Sequence, residues 1–224
     1  MGHEMRNLNQ QILNFNYEQN FKDQDFYVSK SNKYSFKLLN SWPKWEKNFV
    51  NLIGENFSGK SHLISIFLQN FKGIKISADK ITNDFLREIK IFENVIIEDL
   101  LENIDENLLF TLINTIEQDN KYLIITSTKP IVDFKFTLLD LNSRAKNFLL
   151  SAIEKPEDDL MYALIIKNLS DRQISIDKKL IDFIIKRISR SYGKISDFIY
   201  KIDKISLKRK KPIDFKIIKE ALGE

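Results

Sequence analysis

A glycine-containing octapeptide that begins at Gly54 constrains this chain more than any other stretch. Its sequence, GENFSGKS, fits the pattern GxxxxGK[ST] at every fixed position. The apolar run Phe49–Ile53 before it predicts a buried strand, and apolar residues after it recur at helical spacing as far as Asn70. A strand, a glycine loop and a helix in this order form a phosphate-binding loop, because backbone N–H groups and the helix N-terminus then face an anion. An ordinary glycine turn before a helix is the alternative.

A second landmark is an acidic pair at the end of another apolar run. The largely β-branched residues 94–97 are followed by Glu98 and Asp99. In open parallel sheets the carboxyl ends of the strands face the ligand, so this is a Walker B arrangement, in which one acid belongs to the Mg²⁺ shell and the other orients the attacking water. The usual order places Asp first, and the longer Glu98 in the metal position argues against efficient hydrolysis. A strand that leads into an acidic helix cap is the alternative.

The alternation of strands and helices predicts an α/β fold with a parallel sheet flanked by helices. Further strands are predicted at residues 74–77, 122–128 and 148–153, and helices at residues 79–90, with Asp79 as N-cap, and at Glu106–Gln118. From Lys155 onward the pattern is wholly helical, with the first of these helices predicted to begin at Pro156. We therefore expect a mobile tail over residues 1–20, an α/β nucleotide-binding domain over 21–154, and a small all-α domain over 155–224.

Composition limits the cellular setting and the partners. The chain of 224 residues has no cysteine and a net charge of +4. It lacks an apolar stretch of the roughly 18 residues that a membrane span needs, and no signal peptide is recognised, so we expect a cytoplasmic protein without membrane contact. Residues 151–224 hold 17 Lys and Arg against 12 Asp and Glu. This basic third could contact DNA weakly or an acidic partner, although cationic residues that complement a helix dipole also explain it.

The predicted tail contains a short apolar motif, QQILNF, at residues 10–15. Its pattern, with Gln10, Leu13 and Phe15 at fixed spacing, resembles the peptide with which bacterial replication proteins bind the sliding clamp, the beta subunit of DNA polymerase III. Such a peptide places its leucine and aromatic ring in an apolar pocket while the glutamine hydrogen-bonds at the rim. A tail segment that folds back on its own domain is the alternative.

Taken together, the order of these motifs resembles the AAA+ ATPases, in particular the DnaA group and its short Hda-like regulators of replication initiation. The resemblance rests on residues 10–15, 25–32, 42–45, 125–130, 141–144 and 171–173, in addition to the phosphate-binding loop. It covers nearly the whole chain, which ends before any DNA-binding domain such as the one that ends DnaA. This length favours the regulators over the initiator.

The resemblance implies a ligand, ATP or ADP with Mg²⁺, and the residues that bind it. The nucleotide-binding residues would be Gly54, Glu55, Asn56, Phe57, Ser58, Gly59, Lys60, Ser61 and His62. Lys60 would reach the β- and γ-phosphates, and Ser61 and Glu98 would hold the metal ion. A second sensor of the nucleotide would come from the helical domain, where Arg190 and Lys194 remain alternatives.

The resemblance also implies catalytic roles. Asp99 would act at the attacking water, and Thr128 would be the first sensor, at a position where the initiators of the family often have Asp. Arg144 would be an arginine finger that acts in trans on the nucleotide of a neighbouring molecule. A surface salt bridge is the alternative for Arg144.

The function implied is a regulator that docks on the sliding clamp and promotes hydrolysis of the ATP bound to DnaA, which represses initiation. Its own ATPase would be slow, and whether it acts as an enzyme in its own right stays open. The alternatives are an autonomous P-loop ATPase or nucleotide kinase, and a DNA-binding AAA+ loader. The sequence leaves open whether ATP or ADP is the active ligand, whether the chain forms a homo-oligomer, and whether it contacts DNA.

Overall fold

Five strands form a single parallel sheet in a computed structural model of the chain, which describes residues 26–224. The strands are β1 (Phe49–Ile53), β2 (Gly73–Ser77), β3 (Asn94–Glu98), β4 (Tyr122–Ser127) and β5 (Leu149–Ala152). Their order across the sheet is β2-β3-β4-β1-β5. The motif that contains Gln10, Leu13 and Phe15 lies outside the described residues.

Helices cover the sheet and continue beyond it. They are α1 (Lys33–Asn40), α2 (Lys60–Asn70), α3 (Asn83–Glu88), α4 (Glu106–Gln118), α5 (Leu139–Ala145), α6 (Asp158–Ser170), α7 (Lys178–Ile185), α8 (Tyr192–Arg209) and α9 (Phe215–Leu222). The apolar side chains of α3, α4 and α5 pack on one face of the sheet, and those of α1 and α2 pack on the other. Helices α6 to α9 bury their apolar faces mainly against each other. This architecture confirms the predicted fold class, including the helical C-terminal part.

The central strands owe their position to largely apolar sequence. Strands β1, β3 and β4 are buried on both faces, as expected for parallel strands between two helical layers. The register pairs Ile53 with Ser127 and Ile97 with Ile125 across neighbouring strands. The carboxyl ends of β1, β3 and β4 therefore meet at one edge of the sheet, where the phosphate-binding loop, the acidic pair and Thr128 lie.

A buried asparagine joins two of these strands. Asn51, in the middle of β1, donates its side-chain N–H to the carbonyl of Ile125 at 3.0 Å and to Oγ of Ser127 at 2.8 Å. Its side-chain oxygen accepts from the backbone N–H of Ile131 at 2.8 Å. Because all three bonds are satisfied, the polar group stabilises the end of β4 instead of weakening the core.

Two of the predicted helix starts are wrong. Asp79 does not cap a helix over residues 79–90; it lies inside a 3₁₀ turn, Ala78–Lys80, where its carboxylate accepts from the Ser77 hydroxyl. The N-cap of α3 is Thr82, which is extended and accepts from the N–H of Phe85 at 3.3 Å. Helix α6 begins at Asp158 after Glu157, not at Pro156. Within residues 26–224, no helix is long and apolar enough to span a membrane.

Candidate nucleotide-binding site

The loop between β1 and α2 has the backbone shape that a phosphate requires. Gly59, which precedes α2, adopts φ of +95°, a left-handed conformation that favours glycine. A Cβ on Gly54 would lie 2.5 Å from Oγ of Ser58, so a side chain at this position would displace Ser58. Phe57 adopts φ of +67° at the exposed tip of the loop. The hydroxyl of Ser58 is buried and has no hydrogen-bond partner among the described residues.

Lys60, the first residue of α2, points its ammonium group into this loop. The group is buried and donates to the carbonyls of Gly54 at 2.8 Å and Glu55 at 3.1 Å. Burial lowers the pKa of Lys60, while the negative charges of Asp99 and Glu55 oppose that shift. An ammonium group has three donors, so one remains for a ligand once the two carbonyls are satisfied. The loop therefore holds a fixed positive charge where a phosphate would lie.

Glu98, at the end of β3, already has a cationic partner. Oε2 of Glu98 lies 3.1 Å from Nζ of Lys75 on the neighbouring strand β2. Oε1 is buried and has no hydrogen-bond partner within the described part of the chain. One oxygen is thus neutralised by the protein and the other is available to a cation or water.

The next residue, Asp99, is held in an unusual conformation by the end of β4. Its φ is +56°, in the left-handed region that costs energy for a residue with a Cβ. The hydroxyl of Thr126 accepts from the N–H of Asp99 at 2.9 Å, and the Thr126 carbonyl accepts from Leu100 at 2.8 Å. These two bonds turn the chain immediately after β3 and leave Asp99 exposed at the carboxyl edge of the sheet.

The predicted first sensor lies one residue beyond β4. Thr128 is exposed, whereas Thr126 and Ser127, which precede it, are buried. The Ser127 hydroxyl donates to the carbonyl of Lys129 at 2.7 Å. Two of the three hydroxyls in this stretch therefore serve the loop structure, and Thr128 alone projects to solvent.

The phosphate-binding loop is joined directly to the C-terminal helices. Oε2 of Glu55 accepts from the Ser191 hydroxyl at 2.7 Å, and Oε1 accepts from the N–H of Tyr192 at 3.1 Å. Tyr192 begins α8, and its own hydroxyl donates to the carbonyl of Glu154 at 3.0 Å. A carboxylate from the loop thus satisfies a free N–H group at the start of an 18-residue helix.

The two alternatives for a second sensor lie beside this contact without taking part in it. Arg190 pairs with Asp158 through Nη2 and Oδ1 at 2.9 Å, and both side chains are mostly exposed. Lys194 is exposed in the first turn of α8, and its ammonium group has no ion-pair partner within residues 26–224. The structure brings Ser191 and Tyr192 to the loop instead, so it does not distinguish the two candidates.

The predicted arginine finger lies on α5, away from the loop. Arg144 forms an ion pair with Glu117 of α4, and its side chain is 29% exposed. This contact matches the surface salt bridge considered as the alternative. Because the group is partly accessible, a stronger acceptor on another molecule could still reach it.

Aromatic side chains enclose the remaining side of the loop. The ring of Phe26 meets His62 edge to face, with ring centroids 5.2 Å apart, and stacks on Phe36. A Cβ on Gly59 would lie 3.3 Å from the Phe26 ring. His62 itself, the third residue of α2, is buried. Asn56 is exposed at the rim of the loop.

The residues that could hold Mg²⁺ are few. No group of three or more His, Cys, Asp or Glu that could hold a metal ion occurs in the described part of the chain. Magnesium in nucleotide sites uses one or two protein ligands together with phosphates and waters, so Ser61 and the open oxygen of Glu98 are a sufficient set. The buried, unpartnered Oε1 of Glu98 fits such an ion.

Sequence reasoning missed four residues of this site. Lys75, Ser191 and Tyr192 belong to no motif, and Thr126 lies in the stretch 125–130 without a predicted role of its own. Each acts through a partner that is distant in the sequence. The only local signal was a charged residue, Lys75, in the middle of a predicted strand.

Comparison with known proteins identifies relatives of this chain among replication initiators. No model of a known protein family matches the chain. The chromosomal replication initiator DnaA of Helicobacter hepaticus is 26% identical over 197 residues, which cover 77% of this chain and 42% of that protein. The DnaA of Mycobacteroides abscessus is 22% identical over an alignment of 229 residues, which covers 90% of this chain and 46% of that protein. The chain therefore spans less than half the length of these relatives.

Solved structures show the same fold. Domain III of the Thermotoga maritima DnaA has a TM-score of 0.72 at 16% identity, covering 91% of this chain and 95% of that one. AMPPCP-bound DnaA from Aquifex aeolicus has a TM-score of 0.66 at 19% identity, covering 84% of this chain and 67% of that one. The chain is homologous to the AAA+ ATPase domain of DnaA, and the Aquifex relative binds the adenine nucleotide AMPPCP.

Proposed function

We propose that this chain is a nucleotide-binding AAA+ regulator of chromosomal replication initiation that docks on the sliding clamp and promotes hydrolysis of the ATP bound to DnaA. The observation that carries the nucleotide site is the buried ammonium group of Lys60, held by two carbonyls of a loop whose glycines have the required geometry. ATP or ADP is the expected ligand, and a Mg²⁺ ion held by Ser61 and Glu98 would neutralise phosphate charge when bound.

The acidic residues support binding more than turnover. Glu98 shares its carboxylate with Lys75, and Asp99 stands in a left-handed conformation fixed by Thr126. An acid that shares its charge with a lysine holds a metal ion less tightly, which does not favour rapid hydrolysis. In this proposal the nucleotide acts mainly as a structural switch, and the intrinsic ATPase is slow.

Arg144 is the residue that would act on DnaA. A finger in trans needs a cationic group that can leave its own surface and reach the γ-phosphate of a neighbour. Arg144 is partly exposed, and Glu117 is its ion-pair partner on α4. We propose that this pair opens when the chain meets DnaA, because a phosphate of higher charge competes with one exposed carboxylate.

The experiment measures the decay of DnaA-bound ATP in the presence of clamp-loaded DNA, with wild-type protein and two variants. Arg144→Ala should keep nucleotide affinity and lose stimulation by on the order of 10³-fold. The double variant Leu13→Ala/Phe15→Ala should lose stimulation in reactions that depend on the clamp. It should keep stimulation in reactions that do not. The exposed Arg87→Ala, on α3, is the matched control and should behave as wild type.

Other outcomes would identify the alternatives. ATP hydrolysis by this chain alone at a normal enzymatic rate would support an autonomous ATPase. Activity that depends on DNA but not on DnaA or the clamp would support a loader. Full stimulation by Arg144→Ala would refute its role as the finger.

A further inference from the structure

The pairing of Lys75 with Glu98 places a protein cation at the carboxylate predicted to bind Mg²⁺. Lys75 pairs with Ile96 in the register of β2 and β3, and Ser77 pairs with Glu98. Alternate residues of a strand share a face, so Lys75 and Glu98 lie on the same side of the sheet, two positions apart. The lysine side chain therefore runs along the sheet toward its carboxyl edge and meets Oε2 at 3.1 Å.

The surroundings of this pair differ between its two partners. The Glu98 side chain is 15% exposed, whereas that of Lys75 is 45% exposed. Glu98 is thus largely removed from water and needs a counter-charge, whereas the Lys75 side chain stays partly in contact with solvent. Oε1 of Glu98 is buried and has no hydrogen-bond partner within residues 26–224. The carboxylate can accept a second cation without first losing Lys75.

We propose that Lys75 sets the metal dependence of nucleotide binding by serving as a built-in counter-charge to Glu98. This inference rests on the proposed nucleotide site. Without Mg²⁺, an unpaired carboxylate at this edge would repel the phosphates, and the Lys75 ammonium group offsets that repulsion. With Mg²⁺, the same ammonium group repels the metal ion and weakens its hold on Glu98. Both effects reduce the difference in nucleotide affinity between the metal-bound and metal-free states.

The size of the effect follows from the exposure of the pair. A pair near a protein surface interacts far less than one in the interior, and solvent-exposed pairs are worth about 1 kcal/mol or less. Glu98 is more buried than a typical surface acid, so we expect a value slightly above this range. The ratio of nucleotide affinities with and without Mg²⁺ should change about tenfold when Lys75 loses its charge, which corresponds to about 1.4 kcal/mol.

The test measures the dissociation constant of a fluorescent adenine nucleotide, first in excess Mg²⁺ and then in EDTA. Lys75→Met keeps most of the aliphatic stem and removes the charge. It should bind more weakly than wild type in EDTA and at least as tightly in Mg²⁺, so that the ratio of the two constants rises about tenfold. Lys75→Arg keeps the charge and should behave as wild type.

A matched control lies just before the same strand. Lys72 is exposed at the opposite, amino end of β2, and Lys72→Met should leave the ratio unchanged. Lys75→Gln, a polar variant that suits an exposed strand position, replaces Lys75→Met if that protein does not fold. An equal ratio in wild type and both neutral variants would overturn the inference while the nucleotide site stands. Absence of nucleotide binding by wild type would overturn the site and the inference together.

Discussion

The contact between Glu55 and the start of α8 offers a direct test of how the phosphate-binding loop holds the C-terminal helices. Replacing Glu55 by Ala removes a carboxylate that accepts from the Ser191 hydroxyl at 2.7 Å and from the Tyr192 N–H at 3.1 Å. The loop keeps its glycines and Lys60 keeps both of its carbonyl partners, since those bonds use main-chain oxygens. The change therefore isolates the link between loop and helix.

The expected loss can be estimated from the two bonds. A hydrogen bond to a charged group contributes about 1.5–3 kcal/mol when it is well shielded, and a lost helix cap typically costs about 1 kcal/mol. This site is partly accessible, and water can replace the carboxylate at the freed N–H group. We therefore expect a loss of about 1–2 kcal/mol in the free energy of unfolding, or a melting temperature lower by about 2–8 °C.

Hydrogen exchange locates the effect, because a loss of global stability alone would not identify the link. In Glu55→Ala the amides of Tyr192 to Ile195, at the start of α8, should exchange faster than in wild type, whereas the amides of β4 should change little. Glu46→Ala, which removes an exposed acid before β1, serves as the control for a change in charge. Unchanged exchange at the start of α8 in Glu55→Ala would refute the reasoning.

Two further predictions concern single residues of the site. Lys60→Ala should reduce the affinity for a fluorescent adenine nucleotide by at least tenfold, because it removes the buried charge that faces the phosphates, and unchanged affinity would disprove the site. Burial raises the pKa of Tyr192 above its ordinary value of 10.0, so the free energy of unfolding should fall as the pH rises from about 10 through the raised pKa. Tyr192→Phe should abolish that decline and lower the free energy of unfolding by about 1 kcal/mol at neutral pH. The exposed Tyr200→Phe should keep the decline. An alkaline decline in Tyr192→Phe identical to that of wild type would contradict the role of Tyr192.

The elements that the sequence predicted best are those whose structure is determined by residues that are adjacent in sequence. The apolar run of β1 and the glycine loop after it are continuous in sequence, and the structure reproduces β1 at the predicted residues. Helix α4 also has its predicted bounds, because Asp105 caps it and one face is apolar throughout. For β1 the apolar run and the glycine loop predict the same strand, and for α4 the apolar face and the Asp105 cap predict the same helix bounds.

The failures arise where two local signals compete. Asp79 and Thr82 are both good N-cap residues, and the sequence alone favoured the earlier one. The Ser77 hydroxyl binds the Asp79 carboxylate, which leaves Thr82 to cap α3. Nothing in the local pattern shows that a short 3₁₀ turn intervenes. The choice depends on how β2 ends, which is a property of the folded sheet.

The contacts that the sequence could not predict join residues far apart along the chain. Lys75 meets Glu98 only because of the register between β2 and β3, and Glu55 meets Ser191 across 136 positions. Thr126 looks like any hydroxyl at a strand end until its bond to Asp99 is seen. Sequence motifs identify residues that would contact the ligand, whereas the fold determines which distant residues support them.

Three charged groups with proposed roles share one property that bears on the proposed function. Lys60 binds two loop carbonyls, Glu98 binds Lys75, and Arg144 binds Glu117, all within the described chain. A ligand that recruits such groups competes with or weakens these internal contacts, so part of its binding free energy goes into rearrangement. Such a site responds to a nucleotide by shifting protein contacts, which suits a switch. Rapid catalysis would instead require groups that are held ready for the transition state without competing partners.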